Sequence, residues 1–284
     1  MADLPSRALV LGGGGIAGIA WELGLISGLA AHGVDLRAAD LVVGTSAGSI
    51  VGTLLRGAAD LQEVHAAQAA PVPASEPTVE FDGMAMMTAF ATALAGATGQ
   101  QDARARVGAL ALSGSAVPEG ERRAVIASRI GDPPWPDRRL LVTAVDTADG
   151  EFTVFDRASG VSLLDAVAAS CAVPTVWPPI TVGGRRYMDG GMRSATNADL
   201  ATGCDRVLVV APTSGMPGSP LGPDLDTEVA TLRRDAEVHV VLADAAALQA
   251  FGTNPLAPAT RQPSALAGRA QAEAGWEAIA AFWG

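Results

Sequence analysis

RALVLGGGGIAGIAWELGLISGLAAHGVDLRAADLVVGTSAGSIVGTLLR, residues 7–56, decides the fold. The apolar run at 7–11 (RALVL) is strand-sized and stops at Gly12–Gly15. From Ile16 to Ala31 the pattern turns helical, with Ile19, Leu23, Ile26 and Leu29 or Ala30 recurring at steps of three and four. Residues 40–43 (DLVV) form a second buried strand, which ends at Gly44-Thr45-Ser46-Ala47-Gly48. A helix over roughly Ala47 to Arg56 follows at once. The order strand, glycine turn, helix, strand, tight turn, helix predicts an α/β fold with a largely parallel sheet.

The pattern continues less regularly downstream. Residues 71–77 (PVPASEP) read as a loop, and 81–97 carries Phe81, Met84, Met87, Phe90 and Leu94 at helical spacing. Strands are expected at 139–145 and 151–155 around the turn Asp146–Gly150, and a helix at 162–172 ending before Pro174. A hairpin around Gly183-Gly184 leads into Asp189-Gly190-Gly191. Further buried strands are expected at 206–211 (RVLVVA) and 237–242 (EVHVVL), with helices closing the chain. No linker or internal repeat interrupts this order, so residues 1–284 are expected to form a single domain.

Composition narrows the functional classes. At 49% hydrophobic and 17% charged residues, the chain is not a disordered or solvating polymer. The formal net charge is −11, and all 19 basic residues are Arg. An acidic chain without a basic cluster is repelled by polyphosphate, which argues against a nucleic-acid partner. Two cysteines, Cys171 and Cys204, give neither a disulfide framework nor a metal-ligand spacing. The opening residues carry Asp3 and Arg7 and no export-signal core, so the expected location is the reducing cytoplasm. The uncharged stretches 83–101 and 166–184 do not read as membrane spans.

Three motifs carry chemistry. Gly13-x-Gly15-x-x-Gly18, after a strand and before a helix, points backbone N–H groups outward at a helix N-terminus. The anion held there is either a pyrophosphate or the oxyanion of a tetrahedral intermediate. The dinucleotide reading also wants an acid at the end of the second strand, whereas Asp40 opens that strand and Asp35 lies before it. Gly44-x-Ser46-x-Gly48 lies between strand and helix, where a nucleophilic serine needs a sharp turn lined by small residues. Asp189-Gly190-Gly191 fixes a carboxylate on a glycine turn; solvated Asp-Gly turns are common, so alone it says little. About 0.4, 0.2 and 0.3 chance matches are expected for the three, a joint expectation of about 0.02.

The runs LVLGGGGIAGIAWELGLISGLAAHGV, VVGTSAGS and AVAASCAVPTVWPPITVGGRRYMDGG resemble the patatin-like phospholipase family of lipid acyl hydrolases. The resemblance spans roughly 7–56 and 139–211. It implies a three-layer α/β/α fold and a Ser–Asp dyad, with Ser46 as nucleophile and Asp189 as its partner. It also implies an oxyanion hole from the glycine run, taken as Gly13, Gly14, Gly15 and Ile16. The implied substrate is a lipid or other ester, met in transient contact with a membrane surface, with no cofactor and no metal. One position departs from the family pattern: Ala17 stands where Arg or Lys usually precedes the last glycine. That departure motivates an alternative, an acyl-chain-binding relative with weak or no catalysis.

A serine needs a base, and an exposed Asp is a poor one at pH 7 because its reference pKa is about 3.9. Asp189 is therefore expected to be partly buried and to accept a hydrogen bond from Ser46. The rival is a Ser46–Asp189–His239 triad, whose chain order matches that of α/β-hydrolases. His239, however, sits within the strand-like EVHVVL rather than on a loop. Arg193 is a candidate for facing substrate, Asp199 reads as a surface or capping carboxylate, and Trp177 with Pro178-Pro179 reads as a rigid loop that could line an acyl pocket. Phe81, Met84, Met87 and Phe90 are either a core-facing stripe or a lid over an apolar cleft.

Overall fold

The computed structural model describes residues 5–57, 60–71, 82–114 and 117–284. The chain enters as β1 (Arg7–Leu11), α1 (Gly15–Ala31), β2 (Leu41–Gly44) and α2 (Ala47–Arg56). Four helices follow: α3 (Leu61–Ala67), α4 (Gly83–Leu94), α5 (Gln100–Leu112) and α6 (Glu119–Ile130). Then come β3 (Arg139–Asp146), β4 (Phe152–Phe155), α7 (Leu163–Ser170), β5 (Ile180–Val182) and β6 (Arg185–Asp189). The chain closes with β7 (Arg206–Ala211), α8 (Leu225–Leu232), β8 (Glu237–Leu242), α9 (Ala245–Phe251) and α10 (Arg261–Trp283).

The eight strands form one sheet in the order β5-β6-β3-β2-β1-β7-β8, with β4 paired to β3. β3, β2, β1, β7 and β8 run parallel, and the β4, β5 and β6 pairings are antiparallel. Successive side chains of a strand point to opposite faces. Leu9 and Leu11 of β1 accordingly join one core with residues of α1, α2, α7 and α10. Ala8 and Val10 join a second core with α8. Val145 of β3 and Met188 of β6 pack against Val107 and Ala111 of α5 in a third cluster. Helices thus cover both faces, which is the three-layer α/β/α arrangement expected for parallel strands apolar on both sides.

The periodicity of α1 understates its burial. Residues from Ile16 to Leu29 are buried almost without a break, because α10 covers the face turned away from the sheet. The two helices cross at glycine: a Cβ on Gly24 would stand 2.1 Å from the Ala265 carbonyl oxygen, and one on Gly268 would stand 2.1 Å from that of Trp21. The expected helix at 81–97 is α4, capped by the Asp82 carboxylate on the Ala85 N–H at 2.9 Å. Phe81 and residues 72–77 of the expected loop lie outside the described residues. No described helix is long and apolar enough to cross a membrane.

Two strand ends converge. Gly44, closing β2, is in register with Val142 of β3, and Asp189, closing β6, is in register with Ala144. β2 runs parallel to β3 and β6 antiparallel, so both chains leave the sheet beside Thr143.

Candidate active site

Ser46 occupies the reversal between β2 and α2 with φ 52° and ψ −116°, a backbone conformation rarely adopted by residues other than glycine. The turn is this tight because its flanks are glycine: a Cβ on Gly48 would lie 2.0 Å from the Leu11 carbonyl oxygen. The strain is held from several sides. The Ser46 N–H donates to Ser170 Oγ at 2.9 Å, and the Ser46 carbonyl accepts from Ser49 Oγ at 2.7 Å and Cys171 Sγ at 3.3 Å. None of these bonds uses the Ser46 hydroxyl. Cys171, a buried free thiol, lies directly beneath the elbow.

The glycine run lies against this elbow, since a Cβ on Gly13 would stand 3.5 Å from that of Ser46. Its N–H groups are not equivalent. Gly13 donates to the Ala195 carbonyl at 2.8 Å and Ala17 to that of Pro255 at 2.9 Å. The N–H groups of Gly14, Gly15 and Ile16 have no partner among the described residues, as expected in the first turn of α1. Of the four residues named for an oxyanion hole, Gly13 therefore builds the turn, and its N–H is already spent. Ala17 is fully buried, so a charged side chain there would face the core.

Asp189 is 2% exposed, more deeply buried than expected. Its Oδ1 accepts the Gly191 N–H at 2.7 Å. Burial pushes the carboxyl up to about 6, opposed by the Ser46 hydroxyl, the Gly191 N–H and the charge of Arg122. The Ser46 contact falls outside good hydrogen-bond geometry, and Oδ2 is left buried with no partner among the described residues. The hydroxyl and carboxyl are thus brought together without the full bond that the sequence reading expected.

A residue with no signal in the motifs ties the pieces together. Asn197, fully buried and left-handed at φ 51°, directs Nδ2 at Ser194 O (2.9 Å), Thr45 Oγ1 (3.0 Å), Gly190 O (3.3 Å) and Thr143 Oγ1 (3.4 Å). Thr45 precedes the nucleophile candidate, Gly190 follows the acid, and the neighbouring Ala195 carbonyl holds Gly13. Behind Asn197, the Thr196 hydroxyl and the Ala198 N–H donate to Glu228. Burial pushes this carboxyl up to about 7.

Other expectations fare differently. Arg193 binds Asp199 and the Asn197 amide oxygen and stacks on Phe152, so it supports the loop rather than facing substrate. Asp199 is correspondingly a paired carboxylate. His239 lies in mid-strand on β8, three strands from β2, or roughly 14 Å at the usual strand spacing. It packs against Phe282 with ring centroids 5.4 Å apart, and burial lowers its pKa. It is not brought to Ser46. Asp35 pairs with Arg37, and Asp40 accepts the Arg7 N–H, so neither ends β2 as dinucleotide binding requires.

Ser46 opens into a pocket lined also by Gly15, Ile16, Arg122, Cys171 and Trp177. Next to it lies a cavity of about 300 Å³, which shares Ile16, Ile19, Ile50 and Arg129 and adds Leu54 and Val64. Trp177 does line the pocket at Ser46; Arg122, on a helix unforeseen from sequence, is the residue that sequence reasoning missed.

A family model described as patatin-like phospholipase matches residues 9–202. No curated protein matches the chain. Among solved structures, VipD from Legionella pneumophila is similar at 12% identity and a TM-score of 0.45, covering 98% of this chain and 67% of that one. The type III effector protein ExoU is similar at 14% identity and a TM-score of 0.41, covering 96% of this chain and 53% of its own. This chain thus spans about half the length of ExoU. The family match contains the glycine turn, the strand-to-helix elbow and the Asp-Gly-Gly turn, and the chain belongs to the patatin-like phospholipase family.

Proposed function

We propose that the protein is a serine acyl hydrolase that cleaves a carboxylic ester of a lipid through Ser46 and Asp189. Family membership supports lipid acyl hydrolysis as the class of activity. The observation that carries the residue assignment is a strained serine beside a buried carboxyl whose pKa is pushed up to about 6. That value brings the aspartate near the operating pH of a general base.

In this reading the Ser46 hydroxyl attacks the ester carbonyl carbon while Asp189 Oδ2 takes its proton. The carbonyl oxygen gains negative charge, held by the free N–H groups of Gly14, Gly15 and Ile16 at the positive end of α1. Collapse breaks the bond to the alcohol, which leaves with the proton from Asp189. Water then attacks the acyl-serine, Asp189 again accepting the proton, and the acid departs as Ser46 regains its hydrogen. The apolar cavity beside Ser46 suits the acyl chain. No step calls for a metal or cofactor.

A fluorophosphonate probe tests this directly. Wild-type protein should be labelled, and Ser46→Ala should lose labelling entirely. Asp189→Asn should label and hydrolyse p-nitrophenyl esters about 10² to 10⁴ times more slowly. Labelling that survives Ser46→Ala overturns the assignment. Folded wild type that binds a fatty acid but never labels would instead favour the acyl-binding alternative.

A further inference from the structure

We propose that Arg122 is a positioning residue of this site: its guanidinium supplies the positive charge acting on Asp189 and clamps the Cys171–Trp177 segment over Ser46. The proposal rests on reading Ser46 and Asp189 as the reacting pair.

Arg122 is 3% exposed, and on its helix, α6, it shares burial only with Ile126 and Ile130. Burying a guanidinium is costly unless the site repays it with hydrogen bonds and charge. Its NH2 donates to the Cys171 carbonyl at 3.2 Å, and its charge lies 4.0 Å from the centroid of the Trp177 ring. Between these two anchors is Thr175, a β-branched residue held at φ 70°. Such a conformation persists only when its surroundings impose it, and Arg122 grips the chain on both sides of it. The gripped segment supplies Cys171, Val173 and Trp177 to the wall of the Ser46 pocket, and Arg122 completes the same wall.

The electrostatic half follows from the same placement. The groups acting on the Asp189 carboxyl are the Ser46 hydroxyl, the Gly191 N–H and Arg122. Cys171, just past the end of α7, also faces it, but burial pushes that thiol up to about 11, so it stays neutral at working pH. Arg129, further along α6, lines the pocket as well. A cation near a carboxylate favours its ionised form, so losing Arg122 leaves burial less opposed and the base protonated to a higher pH. A residue serving only to pack Trp177 would leave the pH profile unmoved.

The test is the rate of fluorophosphonate labelling from pH 5 to 9 in wild type, Arg122→Met, Arg122→Lys and Trp177→Leu, with Ser46→Ala as control. Wild type should lose reactivity as pH falls through about 6, where Asp189 gains its proton. In Arg122→Met that limb should move up by about one pH unit, a deficit of about fivefold at pH 6 that nears tenfold at pH 5 and closes above pH 8. Arg122→Lys should keep the limb near its wild-type position, and Trp177→Leu, which keeps the charge, should lower rates uniformly without moving it. If Arg122→Met fails to fold, a limb displaced in Arg122→Lys as far as in no-charge controls such as Arg122→Gln overturns the proposal. An unmoved limb in a folded Arg122→Met overturns it too, while Ser46-dependent labelling stands. Labelling independent of Ser46 fells the dyad reading and this proposal together.

Discussion

Two regions of the molecule differ in how tightly their sequences bind them to the fold. Residues 7–56 are packed so closely that α1 is buried along nearly its whole length and a single Cβ at Gly48 would collide with backbone. Across 83–130, by contrast, α4 has no buried residue and α6 buries Arg122, Ile126 and Ile130 along one side. The first region holds Ser46 and the glycine run, and the second sends Arg122 to the same pocket. Rigid elements fix where a nucleophile stands, and a looser cover can set the charge around it.

The comparison is broken most severely at Gly48. Gly48→Ala should cost more than about 3 kcal/mol, because the added carbon would sit 2.0 Å from the Leu11 carbonyl oxygen and α2 cannot retreat without opening β1. Urea denaturation should show little folded protein. A cost under about 1 kcal/mol would mean that the elbow is far softer than its geometry implies.

Asp189, which meets the rigid region from the end of β6, tests whether the site carries a stability cost for its chemistry. Its folded pKa of about 6 lies above the reference 3.8, so the folded state holds the proton more tightly than the unfolded chain. Stability therefore falls as pH rises from about 4 to 6 and stays lowered beyond. The penalty is on the order of 3 kcal/mol. Asp189→Asn can still accept from the Gly191 N–H and removes the ionisation. Its melting temperature should exceed that of wild type at pH 8 and approach it near pH 4. A variant less stable than wild type at pH 8 contradicts the penalty.

Asn197 comes next. Asn197→Ala should cost about 2 kcal/mol, since it strands the buried Ser194 carbonyl oxygen, takes one donor each from Thr45 Oγ1 and the Gly190 carbonyl, and leaves alanine at φ 51°. Asn197→Gly relieves the backbone and should recover up to about 1 kcal/mol of that loss. If the amide links the elbow to the acid turn, neither variant should regain wild-type labelling rates, whatever its stability.

The two regions were also unequally legible. β1, β2 and the elbow are local signals: an apolar run of strand length, then glycines where the chain must reverse. Asp189 was readable because the Asp-Gly-Gly turn follows a strand-like run. What could not be read depended on partners distant in the chain. The amphipathic stripe of α1 conceals a helix buried all round, because its outer cover, α10, begins at Arg261. EGERRAVIASRI offers Arg122, Arg123 and Arg129 without marking which one turns inward; Arg123 instead pairs with Glu119 and Asp165. His239 fits the chain order of a triad, yet strand order, which no local pattern encodes, sets it three strands away. Asn197 gave no cue beyond being a residue type that tolerates left-handed backbone.

The smallest effect is expected on α4, where Met84 and Met87 are 75% and 58% exposed. Paired substitution Met84→Ser and Met87→Ser removes contacts with water rather than with protein, and should change stability by no more than about 0.5 kcal/mol. The side that α4 turns inward carries Phe90 and Leu94, packed against the cluster around Met188 and Val107. No residue of α4 lines the pocket at Ser46 or the cavity beside it. Hydrolysis of a soluble p-nitrophenyl ester should therefore be unchanged in the double variant. If α4 served as a lid over the acyl cleft, the same substitutions would alter KM for long-chain esters while sparing short ones. Comparing the two chain lengths thus separates a helix that merely covers α5 from one that handles substrate.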